Sequence, residues 1–245
     1  VSCGYLVGCD GGQSTVRKAL DIKYVGKGGE EVDFMLGRMA SIYFEAPDLY
    51  DVMKIDPPWQ FHSMNPEGRA SIVALDGKGK FLTWAKIEPD ESVQKMDPKP
   101  YIKRVIGEDV PIKIISTLPW QAGLSLLANS YGDGRVLLAG DAAHIVPPTG
   151  AKGLNLAFAD VFYLSRALER FYYGNDSSYL DNYSKTALDR VWHTARFSWN
   201  LTRLLHRFPE DEPFDQKTRE SELEYLSRSE KAMASIAEQY TGLPL

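Results

Sequence analysis

The sequence is poor in cysteine and shows no excess of positive charge. Cys3 and Cys9 are the only cysteines in 245 residues, and they lie too near one end of the chain to cross-link a fold. Two cysteines at this spacing are not a zinc framework, so we expect a reducing, cytoplasmic compartment. Acidic residues outnumber basic residues by 33 to 28, which gives a net charge of −5. This balance argues against nucleic acid or an anionic membrane as a partner.

Long apolar runs and metal-binding patterns are also absent from the sequence. No apolar run approaches the roughly 20 residues needed to cross a bilayer, so we expect no membrane span. Of the 4 histidines, His193 and His206 have no Asp or His partner at metal-ligand spacing, and we predict no metal site. The 44% hydrophobic and 25% charged residues are instead typical of a globular chain with one large or two small domains.

The beginning of the chain predicts a strand, a glycine turn and a helix. Tyr5–Cys9 is the strand, Asp10–Gly12 the turn, and residues 14–20 the helix, with Ser14 as its N-cap. A helix entry of this kind presents backbone N–H groups that suit a phosphate. A plain strand-to-helix connection explains the same pattern equally well, and the residues leave both alternatives open.

The rest of the chain changes from strands to helices. Proline and glycine turns separate short apolar segments that predict strands, and three- and four-residue apolar spacing predicts helices. The predicted strands are 39–44, 69–76, 81–87 and 112–115, and the predicted helices are 97–106, 157–173, 179–207 and 221–240. The helix over 179–207 carries a broad apolar surface that includes Trp192 and Phe197, for which we expect core packing or, alternatively, a subunit interface.

One segment combines several features that favour a ligand site. The apolar strand from Arg135 ends at Gly140-Asp141, and Pro147-Pro148 and a glycine-rich helix entry at Gly150–Asn155 follow it. An Asp at the carboxyl end of a strand can accept a hydrogen bond from a ribose or ribityl hydroxyl. The helix entry exposes N–H groups toward an anion or an electron-rich ring edge. A tight strand-to-helix turn without a ligand is the simpler alternative.

These residues resemble a known family. Residues 140–155 resemble the second flavin-binding motif of the class A flavoprotein aromatic hydroxylases, most closely in the branch that hydroxylates 4-hydroxybenzoate. Residues 9–17 resemble the Asp-Gly motif of the same family, which is associated with both FAD and NAD(P)H. The tail from Arg196 to Pro244 also resembles this branch, and the resemblance is most specific over residues 135–245.

The resemblance implies an α/β (α+β) fold class. We therefore expect the chain to contain part of a Rossmann-like FAD-binding domain, an inserted, mainly β substrate domain and a C-terminal helical region. We predict the FAD-binding parts at 1–36 and 119–174, the substrate domain at 37–118 and the helical region at 175–245.

Two departures from the family pattern matter. The family's N-terminal Gly-x-Gly-x-x-Gly unit is absent, so the chain resembles the C-terminal part of a longer flavoprotein whose N-terminal half is missing here. Where the 4-hydroxybenzoate branch has a Ser/Arg pair that binds the substrate carboxylate, this chain has Val73 and Leu75. Two aliphatic side chains cannot bind a carboxylate as an Arg does. The substrate is therefore expected to be a phenol without a ring carboxylate, or an acid bound elsewhere.

The resemblance also assigns cofactors and cofactor contacts. In this family NAD(P)H reduces FAD, and the reduced flavin takes up O2 as a C4a-hydroperoxide that hydroxylates a phenolic ring. The cofactor carries this chemistry, while the protein orients the ring and excludes water. The residues that match the family's cofactor-binding positions are Asp10, Gly11, Arg17, Gly140, Asp141, Gly150, Lys152, Gly153, Leu154 and Asn155. For Lys152, a solvated surface position is a competing expectation.

The catalytic and substrate assignments also follow from the resemblance. Tyr240 matches a tyrosine that relays the phenol proton, and His62 lies near the position of the tyrosine that contacts the phenol. A packed aromatic at Tyr240 and an exposed loop histidine at His62 are the alternatives. Pro148, Val73, Leu75 and Tyr240 are the expected substrate-binding residues.

The expected partners are a small aromatic substrate and a second copy in a homodimer. Two other functions remain open from the sequence alone: a flavin oxidase or dehydrogenase on the same fold, and a non-catalytic flavoprotein scaffold. The missing Gly-x-Gly-x-x-Gly unit favours the scaffold, whereas the match over residues 140–155 favours the monooxygenase.

Overall fold

A computed structural model describes residues 2–27, 38–54, 56–64, 69–87, 91–121, 124–208 and 210–242. The chain divides into two compact units. The first unit contains Val1–Glu31, Gly123–Thr202 and Glu220–Leu245, and the second contains Val32–Ala122 and Arg203–Arg219. The four-segment division expected from the sequence stays a prediction.

The strands of the described chain are short, and most belong to antiparallel pairs. They are β1 (Leu6–Gly8), β2 (Tyr24–Lys27), β3 (Arg38–Glu45), β4 (Gln60–Met64), β5 (Arg69–Ala74), β6 (Lys80–Lys86), β7 (Lys113–Gln121), β8 (Ser125–Ala128), β9 (Gly132–Asp133), β10 (Val136–Leu138) and β11 (His144–Ile145).

The longest helices follow the last strand. The helices are α1 (Thr15–Ala19), α2 (Leu49–Met53), α3 (Lys99–Ile106), α4 (Lys152–Gly174), α5 (Ser178–Asp181), α6 (Tyr183–Leu205), α7 (Pro213–Arg228) and α8 (Glu230–Thr241), and a 3-10 turn spans Gly140–Ala142. None of the helices in the described ranges has the length and the apolar character that crossing a membrane requires.

The first unit contains two three-stranded sheets. In one, β10 lies between β1 and β9, parallel to β1 and antiparallel to β9. In the other, β8 pairs antiparallel with both β11 and β2. The core of this unit includes Leu138 on β10, Tyr183 on α6 and the buried face of α4. That face repeats at helical spacing, with buried Leu156, Leu164 and Ala167.

The second unit is built on one antiparallel sheet with strand order β4-β5-β6-β3-β7. Alternate residues of its strands point to opposite faces. One face, with Ile42, Ile72 and Phe81, is fully buried in a core that also contains Ile102 of α3. The other face stays partly exposed, and the substrate residues expected in this segment lie on that side.

The predicted fold class is confirmed, and the structure corrects several details of the predicted elements. The strand before Gly140-Asp141 ends at Leu138, since the chain turns into a 3-10 helix at Gly140. The helix predicted over 221–240 is two helices, because the Ser229 side chain accepts a hydrogen bond from Ala232 N and starts α8. In the apolar surface predicted on α6, Phe197 is buried, while Trp192 is exposed.

Candidate flavin site

Two motif turns lie at the same edge of a parallel strand pair. Val7 of β1 is paired with Leu137 of β10, and Gly8 with Leu138. Ala139 N donates to Gly8 O over 3.0 Å, which extends this pairing by one residue. Because carboxyl ends of parallel strands meet at one edge, the Asp-Gly turn (residues 10–12) and the Gly-Asp turn (Gly140–Ala142) leave the sheet side by side.

Tyr24 joins the two turns. Its hydroxyl donates to Asp141 O over 2.7 Å, and it lies 3.3 Å from Gly12 O and from Ala142 O. Partial burial raises the pKa of this phenol, so it remains a donor at neutral pH. Tyr24 could not be identified from the sequence, because a tyrosine on a short strand carries no sign of a partner 117 residues away.

Asp10 closes the Asp-Gly turn onto α1. Its carboxylate accepts from the Ser14 hydroxyl (2.5 Å), Thr15 N (2.7 Å) and Val16 N (3.2 Å). These bonds, led by that from Ser14, hold the pKa of Asp10 below its usual range. The N–H groups that the sequence offers to a phosphate are thus satisfied within the turn, so a cofactor contact at Asp10 and at Gly11 (φ +79°) stays a prediction.

Two further expectations at α1 have different outcomes. Ser14 is the predicted N-cap, and this is confirmed by its acceptance of a 2.9 Å bond from Arg17 N. Arg17 is buried rather than presented to a ligand: it donates to Ile22 O over 3.0 Å, and its guanidinium lies 3.7 Å from the centre of the Tyr24 ring. It supports the tyrosine that joins the turns, and its own contact with the cofactor stays a prediction.

The Gly-Asp turn presents an unused carboxylate. Gly140 has φ +62°, a left-handed conformation that glycine adopts without strain. The next residue, Asp141, is exposed, and within the described ranges no protein donor is hydrogen-bonded to its carboxylate. Such a carboxylate at a strand end is able to accept from a hydroxyl of a bound ligand.

The amino terminus of α4 is open. No side chain caps it, so its first N–H groups have no side-chain acceptor. The chain reaches it through Gly150 at φ +88° and Ala151 at φ +52°, and a Cβ on Gly150 would lie 3.1 Å from Phe197 Cε1. Glycine is therefore favoured at position 150. The 23-residue helix points its positive end at this opening, which suits an anion or an electron-rich ring edge.

The predicted residues around this opening are mostly exposed. Pro148 is exposed, and its carbonyl accepts from Ala151 N over 2.9 Å. Leu154 has 69% of its surface exposed, and Asn155 donates from its side chain to Ala151 O over 2.9 Å. Gly153 lies behind them, where an added Cβ would be 3.8 Å from Val146 Cγ2. Leu154 and Asn155 in the first turn of α4 thus face outward.

Lys152 and Tyr240 form a pair beside the opening. Lys152 Nζ donates to the backbone carbonyl of Tyr240 and lies 5.3 Å from the centre of the Phe197 ring. Only 9% of Lys152 is exposed, so the expectation of a solvated surface lysine is wrong. Desolvation lowers the pKa of its ammonium and raises the pKa of the half-buried Tyr240 phenol. Tyr240 also packs edge-on against Phe197, at 6.2 Å.

The remaining predicted residues belong to the second unit. His62 lies on β4 rather than in the expected loop, and it is paired across the strands with Ser71, whose Oγ is 2.8 Å from His62 Nδ1. Val73 is two residues further along β5 and therefore shares this face of the sheet. Leu75 follows β5 with 51% of its surface exposed. The partly exposed face thus carries all three predicted residues of this unit.

Two aromatic side chains on the same face were not predicted as substrate contacts from the sequence. Trp84 on β6 and Trp120 on β7 lie on the side of Ser41 and Met39, opposite the buried Ile42. Their ring centres are 5.8 Å apart. The sheet register was needed to find this pair, because the two tryptophans are far apart in the sequence.

The described residues offer no obvious metal centre. Within those ranges, no group of three or more His, Cys, Asp or Glu side chains is placed to hold a metal ion. The first unit instead offers a carboxylate that suits a hydroxyl group and a helix end that suits an anion.

Comparison with known proteins gives the family. A family model described as an FAD binding domain matches residues 1–198. The chain belongs to this FAD-binding family. It is also 35% identical over its whole length to p-hydroxybenzoate hydroxylase of Acinetobacter baylyi, and 36% identical over 65% of its length to a 12-dehydrotetracycline 5-monooxygenase/anhydrotetracycline 6-monooxygenase of Streptomyces rimosus. The membership expected from residues 140–155 is confirmed, and FAD is the cofactor of the family.

Solved structures support the same assignment. Aklavinone-11 hydroxylase in complex with FAD and aklavinone covers 80% of this chain with a TM-score of 0.63 and 28% identity, and the chain covers 37% of it. Substrate-free RebC, a rebeccamycin biosynthetic enzyme, covers 96% of this chain with a TM-score of 0.65 and 26% identity, and the chain covers 44% of it. The chain spans 59% of the Acinetobacter hydroxylase and 32% of the Streptomyces monooxygenase.

Proposed function

We propose that the full-length protein is an FAD-dependent monooxygenase that hydroxylates a small phenolic ring with NAD(P)H and O2. The observation that carries this proposal is the meeting of the Asp-Gly turn and the Gly-Asp turn at one strand edge, in a chain of an FAD-binding family. The chain is similar to p-hydroxybenzoate hydroxylase over its whole length and to a 12-dehydrotetracycline 5-monooxygenase/anhydrotetracycline 6-monooxygenase over 65% of its length.

The residues of the first unit fit a flavin. FAD, once reduced by NAD(P)H, supplies the activation of O2 that no protein side chain can supply. Asp141 presents a free carboxylate for a ribityl hydroxyl, and the backbone of Leu154 and Asn155 presents the open end of α4 to the ring edge. Negative charge that develops on a ring there is stabilised by the helix end and by the Lys152 ammonium.

Tyr240 is suited to pass a proton rather than to hold a negative charge. Ring hydroxylation by an electrophilic oxygen is faster on a phenolate, so the substrate proton has to leave. Burial raises the pKa of Tyr240, which keeps its hydroxyl protonated at neutral pH. A protonated hydroxyl can accept one proton and donate another, as a relay requires. The hydrogen bond from Lys152 Nζ to the backbone carbonyl of Tyr240 holds Tyr240 in position for this relay.

The second unit supports a phenol without a ring carboxylate. Val73 and Leu75 offer aliphatic contact and no charge on the partly exposed sheet face. His62, held by Ser71, is the group on this face that can accept the phenol proton. Trp84 and Trp120 add flat apolar surface of the kind that packs against an aromatic ring.

The test uses the full-length protein. NAD(P)H oxidation is measured with paired rings, each phenol beside its carboxylated analogue, while hydroxylated product and hydrogen peroxide are quantified. The proposal expects ring-stimulated oxidation that yields product, with the carboxylate-free ring preferred. Peroxide without product for every ring would instead support an oxidase, and a protein without flavin that ignores NAD(P)H would support a scaffold.

A further inference from the structure

A buried acid lies beneath the Gly-Asp turn. Asp160, on α4, is 1% exposed. Its Oδ2 accepts from Gly140 N over 3.0 Å and lies 2.8 Å from His144 Nε2, while its Oδ1 accepts from an Arg190 amino group over 2.6 Å. One carboxylate therefore ties the Gly-Asp turn, β11 and α6 to α4.

Because Asp160 is buried, its carboxylate depends on protein groups rather than on water for hydrogen bonds. A carboxylate removed from water is stable only where donors and an opposite charge replace its hydration. Arg190 supplies the charge, and the fully buried His144, which stacks on the Tyr131 ring at 6.0 Å, supplies a further ring nitrogen. Position 160 also falls in the apolar repeat of α4, between Leu156 and Leu164, where an aliphatic residue would fit the pattern.

Asp160 accepts one of the hydrogen bonds that fix the turn above it. The turn is three residues long, and the bond from Ala143 N to Gly140 O (2.8 Å) closes it. Tyr24 contacts its carbonyl side, whereas Asp160 accepts the N–H of its first residue. The orientation of Gly140 determines the direction in which the exposed Asp141 leaves the turn, since the two residues share a peptide bond.

We propose that Asp160 is a positioning residue of the flavin site, which fixes the Gly-Asp turn so that Asp141 is preorganised for the cofactor. This inference rests on the proposed function, because it assumes that Asp141 contacts FAD. Asp160 acts through Gly140 and does not touch the ligand. Without the Asp160 carboxylate, Asp141 is still present but is free to move. FAD then has to order the turn when it binds.

The experiment compares variants of the full-length protein: Asp160→Asn, which keeps the shape, Asp160→Ala, and Glu169→Gln as a control at an exposed acid of the same helix. The FAD dissociation constant is measured by flavin fluorescence. Hydrogen exchange of the FAD-free protein is measured for peptides that cover residues 136–146 and, separately, for the rest of the first unit. The second readout does not depend on FAD or on activity.

We expect Asp160→Ala to raise the FAD dissociation constant at least ten-fold and Asp160→Asn to raise it by a smaller factor, with faster exchange confined to residues 136–146. The control is expected to match the wild type. If Asp160→Ala does not fold, the isosteric Asp160→Asn carries the test.

A dissociation constant within two-fold of the wild type, or faster exchange spread evenly over the first unit, would assign Asp160 to general stability and overturn the inference alone. A wild-type protein that does not bind FAD would overturn the proposed function and this inference together.

Discussion

The candidate site residues of the two units differ in kind. In the first unit, the candidate flavin residues belong to backbone turns that are fixed by long-range hydrogen bonds, such as those of Tyr24 and Asp160. In the second unit, the candidate substrate residues are side chains on a regular strand face, such as Val73 beside His62. A site made of backbone turns needs particular residue types at the glycine and cap positions. A strand face, in contrast, accepts many different side chains. This difference explains why a sequence motif predicts the cofactor, whereas no motif predicts the substrate.

The largest expected effect comes from the backbone of the first unit. Gly150→Ala places a Cβ 3.1 Å from Phe197 Cε1 in a left-handed conformation. The left-handed backbone costs about 1 kcal/mol for alanine, and the contact adds a similar amount, so we expect a loss of ~2 kcal/mol of unfolding free energy and weaker FAD binding. Urea unfolding checks the first effect. Gly174→Ala, where an added Cβ meets nothing within 4 Å, is the matched control and should not destabilise.

The second prediction tests the strand face by adding charge. The double variant Val73→Ser/Leu75→Arg restores a Ser/Arg pair at the aliphatic positions. Since an exposed Arg–carboxylate pair contributes on the order of 1 kcal/mol, we expect kcat/KM for a hydroxybenzoate to rise by about five-fold relative to its phenol analogue. Val73→Thr/Leu75→Gln, which adds polarity without charge, should leave this ratio unchanged. A ratio that does not respond to Arg would place the carboxylate contact elsewhere.

The third prediction concerns the bridge between the motif turns. Tyr24→Phe removes the hydroxyl that bonds Asp141 O and leaves the ring on Arg17. The loss of one such hydrogen bond costs about 1 kcal/mol, so we expect roughly a five-fold rise in the FAD dissociation constant. Fluorescence titration measures it. Tyr173→Phe, at a nearly fully exposed tyrosine, is the control, and equal effects of the two variants would contradict the bridge.

The smallest expected effect is the pH dependence contributed by Asp10. Its pKa is lower in the folded protein than the ordinary value of 3.8, so it stabilises the folded state above that value and loses this contribution as the pH falls through its folded pKa. We expect Asp10→Asn to flatten the decline of the urea midpoint below about pH 4. Asp189→Asn, at an exposed acid of α6, should keep the wild-type slope.

The sequence predicted the parts of this fold that depend on local chemistry. The cap at Ser14, the helical tail and the glycine-rich entry to α4 follow from residue type and spacing. The partner of Lys152 could not be predicted, because the carbonyl that accepts its hydrogen bond belongs to Tyr240, 88 residues away. The split at Ser229 was missed because a serine in a polar helix gives no sign that it will act as a cap.

Asp160 is a residue whose burial the sequence indicated, although this sign was not recognised. A charged residue in the apolar repeat of α4 indicates a buried ion pair or a functional group, and the pattern from Leu156 to Ala167 contains only this one. The identity of its partners, Gly140, His144 and Arg190, required the fold. Periodicity therefore predicts which charge is buried, and only the structure shows what that charge holds in place.

The most direct test of the central claim follows the oxygen atom. The full-length protein is supplied with NAD(P)H, ¹⁸O-labelled O2 and the phenol that best stimulates oxidation, and the product is analysed by mass spectrometry. The account predicts one labelled oxygen on the ring, with the second oxygen atom leaving as water. A ring recovered without label, while all the oxygen consumed appears as hydrogen peroxide, would contradict it.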